Sequence, residues 1–487
     1  MQRERAMIRG TLAHGPWVAV ASMVLAACAV GPNYTRPGVA APAAFQGVRA
    51  QRPGGDGDGT LPSGWWRIFG DARLDSLEAR IDVSSETLKA AVAAFRQARA
   101  LAQYDRAGYL PIVTAGFSAT RERLSRNRPQ NLGAAGPYDD FVVPLDMSYE
   151  LDVWGRVRRT VEGGRASAEA SAADVATVRL SLQAELAMDW FQLRTVDAQE
   201  RLLERTVKSY EAALELTQVR YEGGVAPEVD LAQARTQLES TRSSEIDLQE
   251  QRAQLEHAIA TLVGVSAPTF DLPRTPLEAT PPQIPVGLPS ALLERRPDLV
   301  GAERRVAAAS AQIGVARSAY LPSIALTGTG GFESAALRTL ISPASVLWTL
   351  GASLSETLFD GGRRKALSEE AVAAYDGAVA TYRQAALTAF EEVEDDLSAL
   401  RVLSDEAETQ SAAVAAAERS LVLSQTRYEG GVTTYLEVLT AQSAALANER
   451  AAVAVQGRRF VASVLLAKAL GGGWSGSLAM PPPPPGS

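Results

Sequence analysis

Arg220-Tyr221-Glu222-Gly223-Gly224-Val225 returns 207 positions later as Arg427-Tyr428-Glu429-Gly430-Gly431-Val432. The agreement reaches well beyond the hexapeptide. Arg106-Ala107-Gly108-Tyr109-Leu110-Pro111 returns as Arg317-Ser318-Ala319-Tyr320-Leu321-Pro322, an offset of 211. The run from Glu150 through Trp154, Gly155, Arg158 and Arg159 returns as Glu356 through Asp360, Gly361, Arg364 and Lys365, an offset of 206. Three anchors in one order at nearly constant offset mean a duplicated unit of roughly 200 residues.

The composition suits that unit. Aromatic residues are 6% of the 487-residue chain. Ala-rich runs decorated with Glu and Arg favour long, closely packed helices over one large core. The segment 1–27 reads as a signal peptide, with Arg3, Arg5 and Arg9 ahead of a short apolar run. It closes on Leu25-Ala26-Ala27-Cys28, small residues before the only cysteine, which resembles a bacterial lipobox. Cys28 is therefore the expected lipidated mature N-terminus, and Ala29 after it favours the outer membrane. Cleavage moves the net charge from −8 to −10. An acidic chain with four lysines is a poor nucleic-acid binder. No later apolar run reaches the roughly 18 residues of a spanning helix, so a membrane crossing would need a barrel.

Each copy reads as helix, two strands, long helix, tip, helix. Residues 28–83 form an extended N-terminal segment and equatorial region, 84–264 the first copy, and 290–470 the second. A Pro-rich equatorial linker, 265–289, joins the copies, and 471–487, with its five consecutive prolines, reads as a disordered tail. The glycine-aspartate run at 55–59 lacks the ligand spacing of a calcium loop and reads as linker.

The clearest strand is 141–153. Phe141, Val143, Leu145, Met147, Tyr149, Leu151 and Val153 alternate with Val142, Pro144, Asp146, Ser148, Glu150 and Asp152. A period of two with opposite polarity suits a soluble sandwich or a membrane barrel. Trp348, Leu350, Ala352 and Leu354 repeat one face in the second copy. From 155 to 222 there is no proline, and the only expected break is Gly163-Gly164. A helix of that length is roughly 100 Å. Leu203, Val207, Tyr210, Leu214 and Tyr221 recur at coiled-coil spacing, as do Val414, Leu421 and Tyr428. Shorter helices at 84–108 and 225–263 add to nearly the same length, which suggests a cylinder of antiparallel helices. Four strands cannot close a barrel, since bacterial ones begin at about eight. An open edge is not tolerated in lipid. Two copies would give eight strands and three would give twelve.

These residues together resemble the outer-membrane efflux factors of the TolC and OprM type, in their NodT-like lipoprotein branch. The resemblance is carried by Cys28-Ala29-Val30-Gly31-Pro32-Asn33-Tyr34-Thr35-Arg36-Pro37 and by Leu293-Glu294-Arg295-Arg296-Pro297-Asp298-Leu299. Ala302-Glu303, Ile313-Gly314-Val315-Ala316 and the two tips complete it. It implies a mainly α fold with a β-barrel part: a long antiparallel α-helical barrel plus a trimeric twelve-stranded transmembrane barrel. It also implies a homotrimer in the outer membrane of a Gram-negative bacterium, anchored by lipid and reaching into the periplasm. A periplasmic adaptor and an inner-membrane pump would be its partners.

The same resemblance implies site roles. The tips Arg220, Tyr221, Gly223, Gly224, Val225, Arg427, Gly430, Gly431 and Val432 would meet the adaptor. Tyr428 falls on a tyrosine that hydrogen-bonds across the closed entrance, and Asp230 on its carboxylate partner. Leu436 falls on a leucine constriction and Glu437 on one acidic-ring position. Thr440 and Thr433 depart from a second acidic position and a gate arginine. The expectation is an apolar ring from Leu436 beside one carboxylate ring from Glu437.

Enzyme chemistry finds no foothold. His257 is the only histidine after cleavage, there is no metal-binding pair, and no phosphate-cradling loop ends in lysine. No cofactor is implied. The acidic run Glu391, Glu392, Glu394, Asp395 and Asp396 reads as a solvated or lumen-facing stretch, with a cation site as the sharper alternative. The leading function is a passive exit duct for small-molecule efflux whose gate opens when the adaptor engages. A duct for polypeptide secretion and a non-channel coiled-coil lipoprotein are the alternatives.

Overall fold

The structure, a computed structural model, describes residues 29–46, 61–125, 136–277, 279–287 and 289–476. The expected signal segment, Cys28, the 55–59 run and the five prolines lie outside the described residues. In chain order the main elements are α1 (Ala72–Ser84), α2 (Glu86–Ala107), β1 (Ile112–Ala115), β2 (Ser118–Glu122), β3 (Tyr138–Glu150), α3 (Arg156–Glu222) and α4 (Glu228–Leu262). Then follow α5 (Pro289–Arg295), α6 (Pro297–Ser318), β4 (Ser323–Ser334), β5 (Val346–Ser355), α7 (Arg363–Glu429) and α8 (Tyr435–Ala469). The three main helix pairs match to the residue. α2 and α6 each have 22 residues, α3 and α7 each 67, α4 and α8 each 35.

The described residues divide into two compact units: those within 1–37, 96–169 and 303–380, and those within 38–95, 170–302 and 381–487. The first holds one antiparallel sheet in the order β1-β3-β4-β5, with β2 also paired to β3. β1 and β2 keep one register along β3, so they are a single strand interrupted at Gly116 and Phe117. The registers decide the faces. Val113, Met147, Gly328 and Leu350 are successive cross-strand neighbours, and so are Ala115, Leu145, Gly330 and Trp348. Thr114, Asp146, Thr329 and Thr349 lie in line on the opposite face, where Thr329 donates to Asp146 at 2.6 Å. The alternation read from β3 thus becomes one continuous apolar face. The Met147 and Leu350 side chains lie over Gly328.

Gly163-Gly164 does not break α3. A Cβ on Gly164 would lie 2.2 Å from an Asp105 carboxylate oxygen, and one on Gly163 would touch Ala311 and Gln312. The pair is there so that α2 and α6 can approach the helix closely. The N-terminal segment uses the same device. Gly31, at φ +101°, faces Gly314, where a Cβ would come within 2.5 Å of the Gly314 Cα. Arg159 then donates to Asn33 Oδ1 at 3.0 Å, and Val30 N–H to the Trp154 carbonyl at 2.9 Å. Two stretches that carried the resemblance are therefore two sides of one contact.

The second unit holds the main core, around Trp65, Leu74, Ile81, Leu186, Phe191, Ile259 and Phe460. Phe191 and Phe460 stack at 4.6 Å between centroids. Asp71 caps α1 by accepting from Arg73 and Leu74 N–H, and it also accepts from Trp190 Nε1 at 2.9 Å. Gly471 and Gly472, read as the start of the tail, are packed structure. They are buried against the Arg295 carbonyl, Leu180 and Trp65, where only glycine fits. In the acidic run Glu391, Glu392 and Asp395 are exposed and Glu394 and Asp396 half-buried; Glu392 pairs with Arg296 at 2.5 Å and Glu394 accepts the Gln46 N–H at 2.6 Å. His257 is exposed, as its place among polar helix residues implies.

Candidate functional site

Both tips close by one mechanism. α3 ends at Glu222, and Gly224 adopts φ +68°. Val225 N–H then reaches the Arg220 carbonyl at 2.8 Å, and Gly224 N–H reaches that of Tyr221 at 2.9 Å. At the second tip Gly431 sits at φ +72°, with Val432 N–H on the Arg427 carbonyl at 2.9 Å and Gly431 N–H on Tyr428 at 3.0 Å. This glycine-closed helix end satisfies the last free carbonyls and starts the return helix within a few residues.

Identical sequences then meet different surroundings. Tyr428 is 7% exposed, whereas Tyr221 is 40% exposed, so the expected seam does not run to Tyr221. Arg220 donates to the Tyr428 carbonyl at 3.0 Å and the Glu429 carbonyl at 2.9 Å. Its guanidinium lies 4.6 Å from the Tyr428 ring centre. A cation at the negative end of α7 is favourable. Its twin Arg427 makes only a 3.8 Å pair with Glu437, both about half exposed, a geometry worth little.

Tyr428 packs edge-on against Tyr435 at 5.5 Å, with Ala234 and Val438 completing a small apolar cluster. Burial, then neighbouring Tyr428, push the Tyr435 hydroxyl up to about 12. Asp230 is 9% exposed, and loss of solvent raises its carboxyl above the usual range. The expected Tyr428–Asp230 hydrogen bond is not made within the chain, because the Tyr428 hydroxyl is buried there without a partner. The Thr433 hydroxyl shares that condition. Leu436 is 55% exposed, beside exposed Val432, and the corresponding Val225 and Val229 are exposed at the first tip.

Two roles escaped the sequence reading: Tyr435 as the packing partner of Tyr428, and Arg220 as a cap on α7. The signal for Tyr435 was a departure from the repeat, since Glu228 stands 207 positions earlier. Among the described residues no group of His, Cys, Asp and Glu could hold a metal ion, and no helix is long and apolar enough to cross a membrane.

A family model described as outer membrane efflux protein matches residues 79–265 and 288–472. The pyoverdine export outer membrane protein OpmQ of Pseudomonas aeruginosa is 34% identical over 93% of this chain and 96% of its own length. A probable efflux pump outer membrane protein of Pseudomonas putida, TtgC, is 32% identical over 94% of this chain and 95% of its own. Among solved structures, the outer-membrane channel OprN superposes with a TM-score of 0.87 at 31% identity, covering 92% of this chain and 100% of that one.

Proposed function

Because the chain belongs to the outer membrane efflux protein family and serves as an outer-membrane component of efflux, we propose that it acts as a passive, gated duct for small molecules, with no catalysis of its own. The observation that carries this reading is the sheet, apolar across one face and polar across the other, with β1 and β5 free at its edges. Such a sheet suits lipid on one side and a water-filled passage on the other. Three copies would supply twelve strands and close the edges. A periplasmic adaptor and an inner-membrane pump would supply the opening signal and the energy.

Lipidation of Cys28 fits the same picture. Ala29 lies against Gly155, five residues beyond the end of β3. An unmodified Cys28 in the mature protein, seen by mass spectrometry, would defeat this part.

Leu436 and Glu437 would line the narrow entrance, with the remaining tip residues meeting the adaptor. The unpartnered Tyr428 hydroxyl is a donor left for pairing in the closed assembly, and Asp230 is the acceptor assigned to it. Better contacts between adaptor and open tips would shift the balance towards the open state. Tyr428→Phe should raise planar-bilayer conductance in part, and adding Leu436→Ser should raise it further. A double variant that conducts like wild type would place the gate elsewhere. The duct itself is tested by deletion: the strain should become sensitive to small toxic compounds, and restored wild-type protein should reverse this.

A further inference from the structure

The two copies meet inside the chain, and that junction shows how one chain should meet the next. Where β3 ends, Leu151 N–H bonds to the Ile324 carbonyl at 2.8 Å, and Trp154 Nε1 donates to the Pro322 carbonyl at 2.7 Å. The loop after a second strand, carrying one aromatic residue, thus seats on the Tyr-Leu-Pro run that precedes the other copy's first strand. Pro322 belongs to Tyr320-Leu321-Pro322, whose repeat is Tyr109-Leu110-Pro111. The loop after β5 is the corresponding loop of the second copy. It holds Leu358 and Phe359, which seat on nothing among the described residues and are 91% and 89% exposed. Leu110 and Ile112, beside the matching proline, are 68% and 69% exposed.

We propose that Leu358 and Phe359 of one copy dock on Tyr109, Leu110 and Pro111 of a second copy, forming an apolar collar just outside the sheet. The inference rests on the membrane-barrel reading above, in which the free β5 edge must meet a free β1 edge. Strand phase is compatible with it. The apolar face of β5 carries Trp348, Leu350, Ala352 and Leu354, and that of the first strand carries Val113 and Ala115. One apolar face is continuous across copies when Leu354 stands opposite an odd-numbered residue of that strand, and Val113 and Ala115 are the two such positions in β1. Following the chain onward from either register brings Leu358 and Phe359 level with residues 108–111. A head-to-tail contact of this kind repeats around a ring until it closes.

Disulfide trapping in the full chain tests the docking. Leu110→Cys with Phe359→Cys should give covalent dimers and larger species on a non-reducing denaturing gel after mild oxidation. Either single variant should stay monomeric, which controls for pairing through Cys28. Leu354→Cys combined with Val113→Cys or Ala115→Cys probes the strand edges, since paired strands bring Cα atoms within bridging distance. Linking through an edge pair without linking through Phe359 overturns the collar and leaves the barrel standing. No linking through any pair overturns both. As a second measurement, Phe359→Ser should lower the temperature at which the detergent-solubilised oligomer dissociates. An oligomer as heat-resistant as wild type would also overturn the collar.

Discussion

Removing the Arg220 guanidinium would take a donor from each of two α7 carbonyls, leaving that of Tyr428 its bond from Gly431 N–H, and would uncover one face of Tyr428. Charge-assisted bonds of this kind at a part-exposed helix end are worth about 2 kcal/mol together. Arg220→Ala should therefore loosen the second tip, read as faster amide exchange at 428–432, while Arg427→Ala should leave exchange nearly unchanged. Equal effects would mean that the twin arginines work alike after all. Glu78 offers a second test. It is 1% exposed with both carboxyl oxygens unpartnered, and burial, followed by Asp82 and Asp75, pushes it up to about 9. A folded-state value above the unfolded one means that the folded chain holds the extra proton. Its stabilising contribution is complete below about pH 4.5 and is lost as pH rises towards about 9. The slope in that window is at most about 1.4 kcal/mol per pH unit. Glu78→Gln should flatten the denaturation midpoint against pH there; an unchanged slope would assign it to other groups.

At the scale of elements, Leu145 and Ser148 belong to one strand and to opposite faces. Arginine on a lipid face costs about 2–4 kcal/mol near the midplane and far less on the lumen side. Leu145→Arg should lower the yield of assembled protein well below that of Ser148→Arg; equal yields would remove the lipid-facing assignment. The helices carry a matched pair of their own. Asp189 on α3 and Asp396 on α7 stand 207 positions apart, each one turn after a glutamate. Burial, then Glu185, lifts Asp189 to about 6; burial, then Glu392 and Asp395, lifts Asp396 to about 7. Stability held by both should fall as pH rises from about 4 to about 7, and Asp189→Asn with Asp396→Asn should suppress that fall.

Much of this scale was legible beforehand. Strand alternation and proline-free helices are local signals, so α3 and both tips stood where the sequence put them, and β3 runs from Tyr138 to Glu150 against the expected 141–153, leaving Leu151 and Val153 beyond its end. Gly163-Gly164 misled because a close neighbour and a break ask for the same residue type. Gly471 and Gly472 misled for the same reason, since composition alone does not separate a packed glycine turn from a tail. At the entrance, Leu436 and Glu437 could be placed by position. The burial of Tyr428 could not, because it depends on Tyr435 and Arg220 arriving from two other helices.

For the whole molecule, the equal helix lengths of the two copies impose a rule on change. A helix without interruptions behaves as a ruler. Substitution alters what is written along it, but only insertion or deletion alters where it ends. Arg220 meets the last carbonyls of α7 only while α3 and α7 carry the same number of residues. Losing seven residues from α3 alone would withdraw its tip by about 10 Å. Cutting one heptad from each of α3, α4, α7 and α8 should keep the two tips in step and leave a shorter protein that still assembles. The single deletion should not assemble. For such a molecule the residue count of a helix is as strict a specification as any side chain on it.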